Sequence, residues 1–273
     1  MKFSIVTPCL NAASHIEETV TSVTEQSALR NAGASLEHII CDGGSTDATV
    51  EILRRIEKPH LRIVSQPDDG MYEALARGLR IASGDVIAYL NAGDYLHPHA
   101  FAVVQELMDA HPEIRWLTGY EAIYNSSGAA VRFILPYRFR RRLLRCAAYG
   151  RFLPFVQQES TFWRRELMER VDFGQLSRLR LAGDYYLWRC FAESADLHIV
   201  SAHLGGFRLH AGQLSENQAE YLREMQSLAS APGAVDFALM LCDKILWYAP
   251  PLAKKWANRR GLHLYDHHAG RWG

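Results

Sequence analysis

Asp42, Asp68 and Asp94 each stand just past a short apolar run, at 36–41, 61–65 and 86–90. A carboxylate is too polar to continue a buried run, so each marks where the chain leaves the interior. Asp94 lies in the stretch GDVIAYLNAGDYL, behind the amide of Asn91. Acids so placed can meet a metal ion or a ligand. The same residues also read as a turn, made by Asn91 and Gly93 and capped by Asp94. Further along, Asp184 begins a helix in LRLAGDYYLWRCF. There it either caps the helix, where the dipole favours an anion, or serves as a base near a reacting hydroxyl. In GGFRLHAGQLS, Arg208 and His210 alternate with apolar neighbours and so point to one side. His210 reads equally as a structural histidine and as a ligand. Gln157, Gln158 and Glu159 lead the segment QQESTFWRREL, three polar groups ahead of an expected helix.

The elements that must hold these residues follow from periodicity. The run 86–90 has turn residues at both ends, which suits a strand buried on both faces. The run 3–7 is rich in β-formers and is stopped by Pro8. Ser14 and Glu17 form a capping box ahead of Ile16, Val20 and Val23 at helical spacing. Thr46 or Asp47 can cap a helix carrying Val50, Leu53 and Ile56. Another helix places Met71, Leu75, Leu79 and Ala82 on one face, and Pro98 opens the next at a first-turn position. A further strand is expected at 116–118. Strands alternating with helices at this spacing mean βαβ units and a mainly parallel sheet. Right-handed crossovers bring every strand's carboxyl end to one edge, and ligands of open α/β sheets bind there. Thr7, Pro8, Asp42, Asp68 and Asp94 collect on that edge, and three carboxylates at equivalent points make a site. No G-x-G-x-x-G follows a strand and no G-x-x-x-x-G-K-[ST] occurs. Such a site would engage a nucleoside diphosphate through a divalent cation, and an acid at the second strand end can accept the N–H of a base.

Composition sets the bounds. At 273 residues the chain is one large domain, or one domain with an appendage. Its apolar fraction of 48% and charged fraction of 22% are ordinary for a globular protein. Thirty basic residues balance thirty acidic ones, so no global field calls for nucleic acid. Cys9, Cys41, Cys146, Cys190 and Cys242 lie far apart. They form neither a disulfide framework nor a zinc pattern, and they suit a reducing cytosol. The start has too short an apolar run for a signal peptide, and no stretch reaches the roughly 18 apolar residues that span a bilayer. A cytoplasmic protein, at most peripheral on a membrane, is expected.

Beyond about residue 120 the organisation changes. Asn125-Ser126-Ser127-Gly128 signals a hairpin between 122–124 and 131–135. The stretch 137–151 gathers Arg138, Arg140, Arg141, Arg142, Arg145 and Arg151. These arginines either hold an anionic acceptor or headgroups, or form a solvated basic face with snorkelling stems, the plainer reading. A helix after the strand at 207–209 is expected to start with Ser215 and Gln218 as its capping box. The stretch 235–248 is apolar at helical spacing and ends at Pro250-Pro251, with Lys254, Lys255, Trp256, Arg259 and Arg260 behind it. It either lies in a membrane interface or packs on the domain.

Seven segments, in order, carry a resemblance: SIVTPCLN, HIICDGGSTDAT, PDDGMYEALARG, GDVIAYLNAGD, QQESTFWRR, AGDYYLW and GGFRLHAGQLS. Together they resemble glycosyltransferase family 2 on the GT-A fold, over 4–215. The resemblance implies a Rossmann-like, mainly parallel sheet flanked by helices, with an acceptor-side half and a C-terminal helical tail. The domain boundaries it suggests are 1–119 for the nucleotide-sugar half, 120–215 for the acceptor half, and 216–273 for a helical extension. It implies inverting transfer of a sugar from a nucleoside-diphosphate sugar, a UDP-sugar by preference, to a glycan or lipid-linked acceptor in cell-surface polysaccharide or glycolipid synthesis. Asp184 would be the catalytic base. Asp42, Asp68 and Arg77 would hold the nucleoside, with Thr7 and Pro8 lining its pocket and Asn91 in support. A divalent metal, Mn or Mg, would sit on Asp94 with help from His210, and Arg208 and His210 would steady the diphosphate. Gln158 and Glu159 would meet the sugar or acceptor. This chain departs from the family pattern with Asn91, Ala92 and Gly93 ahead of a single Asp94, and with Glu73 and Ala76 where Asp and Asn are common. Two other functions share parts of this pattern, a sugar nucleotidyltransferase and a non-catalytic nucleotide-sugar-binding protein. The first would want a glycine-rich loop with Arg and Lys after the first strand, and TPCLNAASH has none.

Overall fold

β1 (Lys2–Cys9) is buried from Phe3 onward, as expected of a strand covered on both faces. In a computed structural model that describes residues 1–273 except Ala32, Glu57, His210, Ala211 and Gly212, it lies inside an eight-stranded sheet. After it come α1 (Ile16–Thr24), α2 (Ser27–Asn31), β2 (Ser35–Asp42), α3 (Thr49–Arg55), β3 (Leu61–Ser65), α4 (Met71–Ile81) and β4 (Val86–Tyr89). Next are β5 (Tyr95–Leu96), α5 (Ala100–Ala110), β6 (Trp116–Thr118), the hairpin of β7 (Glu121–Tyr124) and β8 (Ala130–Ile134), and α6 (Arg141–Arg145). A single 3-10 turn, Gln158–Ser160, precedes β9 (Phe162–Arg164). α7 (Phe173–Leu176), α8 (Gly183–Ala192), β10 (Leu197–Val200), β11 (Gly205–Arg208) and α9 (Gln218–Leu228) follow. The chain ends with α10 (Ala234–Trp247), α11 (Pro251–Ala257), β12 (Leu262–His263) and a small pair, β13 (Tyr265–Asp266) and β14 (Arg271–Trp272).

The main sheet runs β12-β10-β6-β9-β4-β1-β2-β3. β1 pairs in parallel with β2 and with β4, β2 with β3, and β10 with β6 and β12. β9 is antiparallel to both its neighbours, β4 and β6. The architecture is the expected mainly parallel α/β sheet flanked by helices. A second sheet, β5-β11-β7-β8, lies beside it. The core holds Phe3 stacked on Phe101 with ring centroids 4.2 Å apart, and Trp163 of the reversed strand clustered with Trp188 and Trp116. Burying each such ring or branched side chain stabilises the fold by roughly 1.5–3 kcal/mol.

Three expected helix starts differ. α1 begins at Ile16 with His15 before it and no side-chain cap, so Ser14 and Glu17 do not form the expected box. The entry turn is held from across the site instead: Ala12 N–H donates to Thr49 Oγ1 at 2.7 Å and Ala13 N–H to Asp47 Oδ2 at 3.1 Å. α9 begins at Gln218 behind Asn217, again without a side-chain cap. α3 begins behind Ala48, also without a side-chain cap, although Asp47, one residue earlier, accepts the Thr49 N–H at 2.9 Å. The arginines of 137–151 divide: Arg142, Arg145 and Arg151 are exposed, as a solvated face would have it, but several are tied to distant parts of the chain. Arg140 forks onto the buried Asp243 of α10 at 2.8 and 2.9 Å, Arg142 pairs with Asp236, and Arg141 donates to the carbonyls of Ala192 and Glu193.

Candidate functional site

The carboxyl ends of β1 and β4, with residues from the Gln158–Ser160 turn, α8, β11 and α9, enclose a cleft of about 590 Å³. Pro8, Asp68, Asn91, Asp94, Gln158, Glu159, Asp184 and Arg208 all line it. Three other expected residues do not reach it. Thr7 is fully buried, with its hydroxyl 2.9 Å from His38 Nε2. Asp42 is fully buried too, and its carboxylate is taken up by its own loop and the end of β3: it accepts from the Gly44 and Ser45 N–H groups and from the hydroxyls of Ser45 and Ser65. Arg77 lies behind Asp68, its guanidinium 4.0 Å from that carboxylate and 3.7 Å from Glu73. His210 lies outside the described residues.

Asp94 is held by main chain. Its Oδ1 accepts the Arg208 N–H at 2.9 Å, because β5, directly after it, pairs antiparallel with β11. Gly93 turns the chain with φ at +108°, a conformation that disfavours side chains. The Thr19 hydroxyl fixes that turn, accepting from Gly93 N–H and donating to the Asp94 carbonyl, both at 2.9 Å. The Arg208 guanidinium points elsewhere, to Glu18 and the Ser126 carbonyl. Gln158 donates to the Tyr89 carbonyl and accepts from Asn91 Nδ2 at 3.3 Å. Gly205 lets β11 pass directly over this turn, since a Cβ there would lie 2.0 Å from the Glu159 carbonyl oxygen.

Burial sets the protonation of the acids. Glu159 is pushed up to about 7 by burial, with the charge of Asp184 adding to it. Asp94 is raised well above the usual carboxylate range by burial and by Glu159 beside it. Asp184 stands in the first turn of α8 and is raised to about 6, chiefly by burial. The Tyr221 hydroxyl donates to its carboxylate at 3.1 Å and works the other way. Tyr72, whose hydroxyl donates to the Leu181 carbonyl at 2.8 Å, packs beside the same turn. Glu224 of α9 accepts three N–H groups ahead of α8, from Arg180, Leu181 and Ala182 at 2.8, 2.7 and 2.6 Å. Tyr221, Tyr72 and Glu224 had no signal in the sequence as parts of a site. Tyr221 and Glu224 sit on a helix whose ordinary composition does not show which face meets the cleft.

Whether these residues suit a divalent cation turns on their donor atoms. Asn91 Oδ1 is buried with no hydrogen-bond partner, next to an Asp94 carboxylate with only one oxygen engaged by main chain. Among the described residues no group of three or more His, Cys, Asp or Glu side chains could hold a metal ion by itself. Hard oxygen donors, few in number, are the set by which Mg²⁺ is bound when substrate phosphates supply the rest. The residues therefore fit a cation completed by a diphosphate, not a self-sufficient metal site.

Known proteins share this framework. The family model for glycosyl transferase family 2 matches residues 4–169, more than half of the chain. An uncharacterized glycosyltransferase of Mycobacterium tuberculosis is 31% identical over 177 residues, 63% of this chain and 63% of its own length. The chondroitin synthase of Pasteurella multocida is 35% identical over 99 residues, which are 36% of this chain and 10% of the synthase. The match thus spans about a tenth of the length of that relative. Among solved structures, S. aureus TarS 1–349 in complex with UDP-GlcNAc superposes with a TM-score of 0.61 at 16% identity, over 93% of this chain and 70% of that one. The mannosyltransferase PcManGT of Pyrobaculum calidifontis, in complex with GDP-Man and Mn²⁺, gives 0.61 at 20% identity, over 94% and 73%. At these identities the likeness concerns the fold, which is GT-A.

Proposed function

The chain belongs to glycosyltransferase family 2, and from that premise we propose that it is an inverting transferase, moving a sugar from a nucleoside-diphosphate sugar to an acceptor hydroxyl. One observation carries the reading: Asp184 and the Asn91–Asp94 turn line the same cleft, so a base and a leaving-group site share one cavity. Asp184 takes the acceptor hydroxyl proton as that oxygen bonds to the anomeric carbon. The bond from that carbon to the diphosphate breaks, and the nucleoside diphosphate leaves with the electron pair. Asp94 and Asn91 are the residues that would hold a divalent cation, Mn or Mg. When bound, the cation supplies electrostatic stabilisation of the leaving oxygens. Tyr221 orients the Asp184 carboxylate, and Gln158 and Glu159 bound the sugar and acceptor end. Asp68, with Pro8 beside it, faces the nucleoside; Arg77 steadies Asp68 from behind, and Asp42 shapes the loop next to it. Thr7 supports the strand beneath. The Arg208 main chain sets Asp94 while its guanidinium pairs with Glu18 and not with the diphosphate end, for which His210 is the candidate.

Uridine is the favoured base, as in the TarS complex with UDP-GlcNAc. Likeness to a chondroitin synthase supports a glycan or lipid-linked acceptor in polysaccharide or glycolipid synthesis. The free cysteines support a reducing, cytoplasmic setting, with peripheral contact to a membrane. In the described residues no helix is long and apolar enough to cross one. We assign 1–119 to the donor half, 120–215 to the acceptor half and 216–273 to an extension. The test is Asp184→Asn: transfer should fall by roughly a hundred- to ten-thousand-fold while donor affinity by calorimetry stays within about twofold. Transfer near the wild-type rate would remove Asp184 as the base.

A further inference from the structure

Helix α10 turns its polar side inward. Its buried residues are Asp236, Met240, Asp243 and Trp247. The two acids pair with Arg142 and Arg140, and Trp247 packs on Phe139 with ring centroids 5.4 Å apart. α11 is fastened in the same manner, by Lys254 donating to the Leu135 carbonyl and, just past its end, by Asn258 donating to the Tyr137 carbonyl. At about 100° per residue, Phe237, Leu241, Ile245 and Tyr248 fall on one stripe of the opposite face. They are 52, 65, 71 and 72% exposed, and Leu252 and Trp256 of α11 extend the row at 79 and 78%. The row runs on toward the cleft. Phe237 lies 6.4 Å from the exposed ring of Phe152, and the exposed Phe155 lies 5.6 Å from Tyr221, which bonds Asp184.

Charge says what this face meets. Both acids of α10 are turned inward and paired, and no acid occurs from 244 to 265. Lys244, Arg259 and Arg260 are exposed, and Lys244 flanks the stripe. A second copy of this face would bring like charges together, whereas an anionic bilayer accepts both the apolar row and its cations. Tyr248 and Trp256 are side chains favoured at the headgroup level. We propose that α10 and α11 dock the protein on an anionic bilayer, with the Asp184 end of the cleft turned toward it, so that a bilayer-anchored acceptor reaches the base. The acceptor clause rests on the transferase reading; the docking does not.

The experiment sediments the full chain with vesicles of phosphatidylcholine containing phosphatidylglycerol, and with phosphatidylcholine alone. The protein should pellet with the anionic vesicles, and less as salt rises. Leu241→Glu combined with Ile245→Glu, both at exposed positions, should weaken pelleting by roughly tenfold or more with the circular dichroism spectrum and nucleoside diphosphate release in solution unchanged. Trp256 emission should shift to the blue on adding vesicles, a shift lost in Trp256→Phe. Failure of the transferase reading would appear in the release assay alone. The docking is overturned if the folded wild type does not pellet at low salt, if the double variant pellets equally, or if the wild type is a dimer that the same pair dissociates.

Discussion

Asp184 carries a carboxyl that burial raises to about 6, from an ordinary value of 3.8, while the Tyr221 hydroxyl and the start of α8 restrain the rise. A base must be ionised to accept a proton, so activity should climb with pH through that value. The acid limb of kcat/KM, which reports the free enzyme, is expected near pH 6; a limb near 4 would mean that the rate-controlling carboxyl is another one. Glu159 makes the complementary prediction for stability. Its folded pKa, about 7 against an ordinary 4.5, means that the folded state holds a proton which the unfolded chain has released. That contribution is complete below about 4.5 and is lost as pH rises through 7. Glu159→Gln should therefore flatten the fall of the thermal midpoint between those limits, as measured by melting at a series of pH values. An unchanged slope would place the titration elsewhere. At this scale Asp68, Asp94, Glu159 and Asp184 line the cleft as expected while Asp42 does not, and none of their partners was legible. Asp42 and Asp68 read alike at two strand ends, yet Asp42 is consumed by its own loop and by Ser65 at the end of β3, bonds that strand spacing does not register.

Among the elements, α8 depends on α9. Glu224 accepts the three N–H groups of Arg180, Leu181 and Ala182, the job a local cap would do. Glu224→Ala should lower stability by about 1–3 kcal/mol in denaturant titrations and lower kcat, with donor affinity little changed. Full activity in that variant would show that the Asp184 turn holds itself. Local patterns predicted caps at Ser14 and Ser215; the chain instead holds its turns from a distance, through Thr49, Asp47 and Glu224. Capping rules read four residues at a time, so contacts across the site escape them. The strands were more legible, because a run such as 86–90 is set by its own apolar residues and its flanking turns.

For the molecule as a whole, the alternation of strands and helices was enough to give a mainly parallel sheet with its acids on one edge. The reversed β9 between β4 and β6 was not legible, since insertion of a late strand between two earlier ones leaves no local mark. Arg140 and Arg142 escaped for a similar reason: their partner acids, Asp243 and Asp236, lie 103 and 94 residues downstream. The organisation that results gathers the N-terminal edge, the Gln158–Ser160 turn and α8 around one cleft, and the central claim is that this cleft transfers a sugar from a nucleotide donor. A non-catalytic binder would share the cleft and the donor but not the turnover. The most direct measurement is release of nucleoside diphosphate from a panel of UDP- and GDP-sugars, with Mn²⁺ or Mg²⁺ and with chelator. We predict release from one donor, a UDP-sugar, that rises with acceptor, falls at least tenfold with chelator and is absent in Asp184→Asn. Saturable donor binding with no release from any donor, under any metal condition, would contradict the claim.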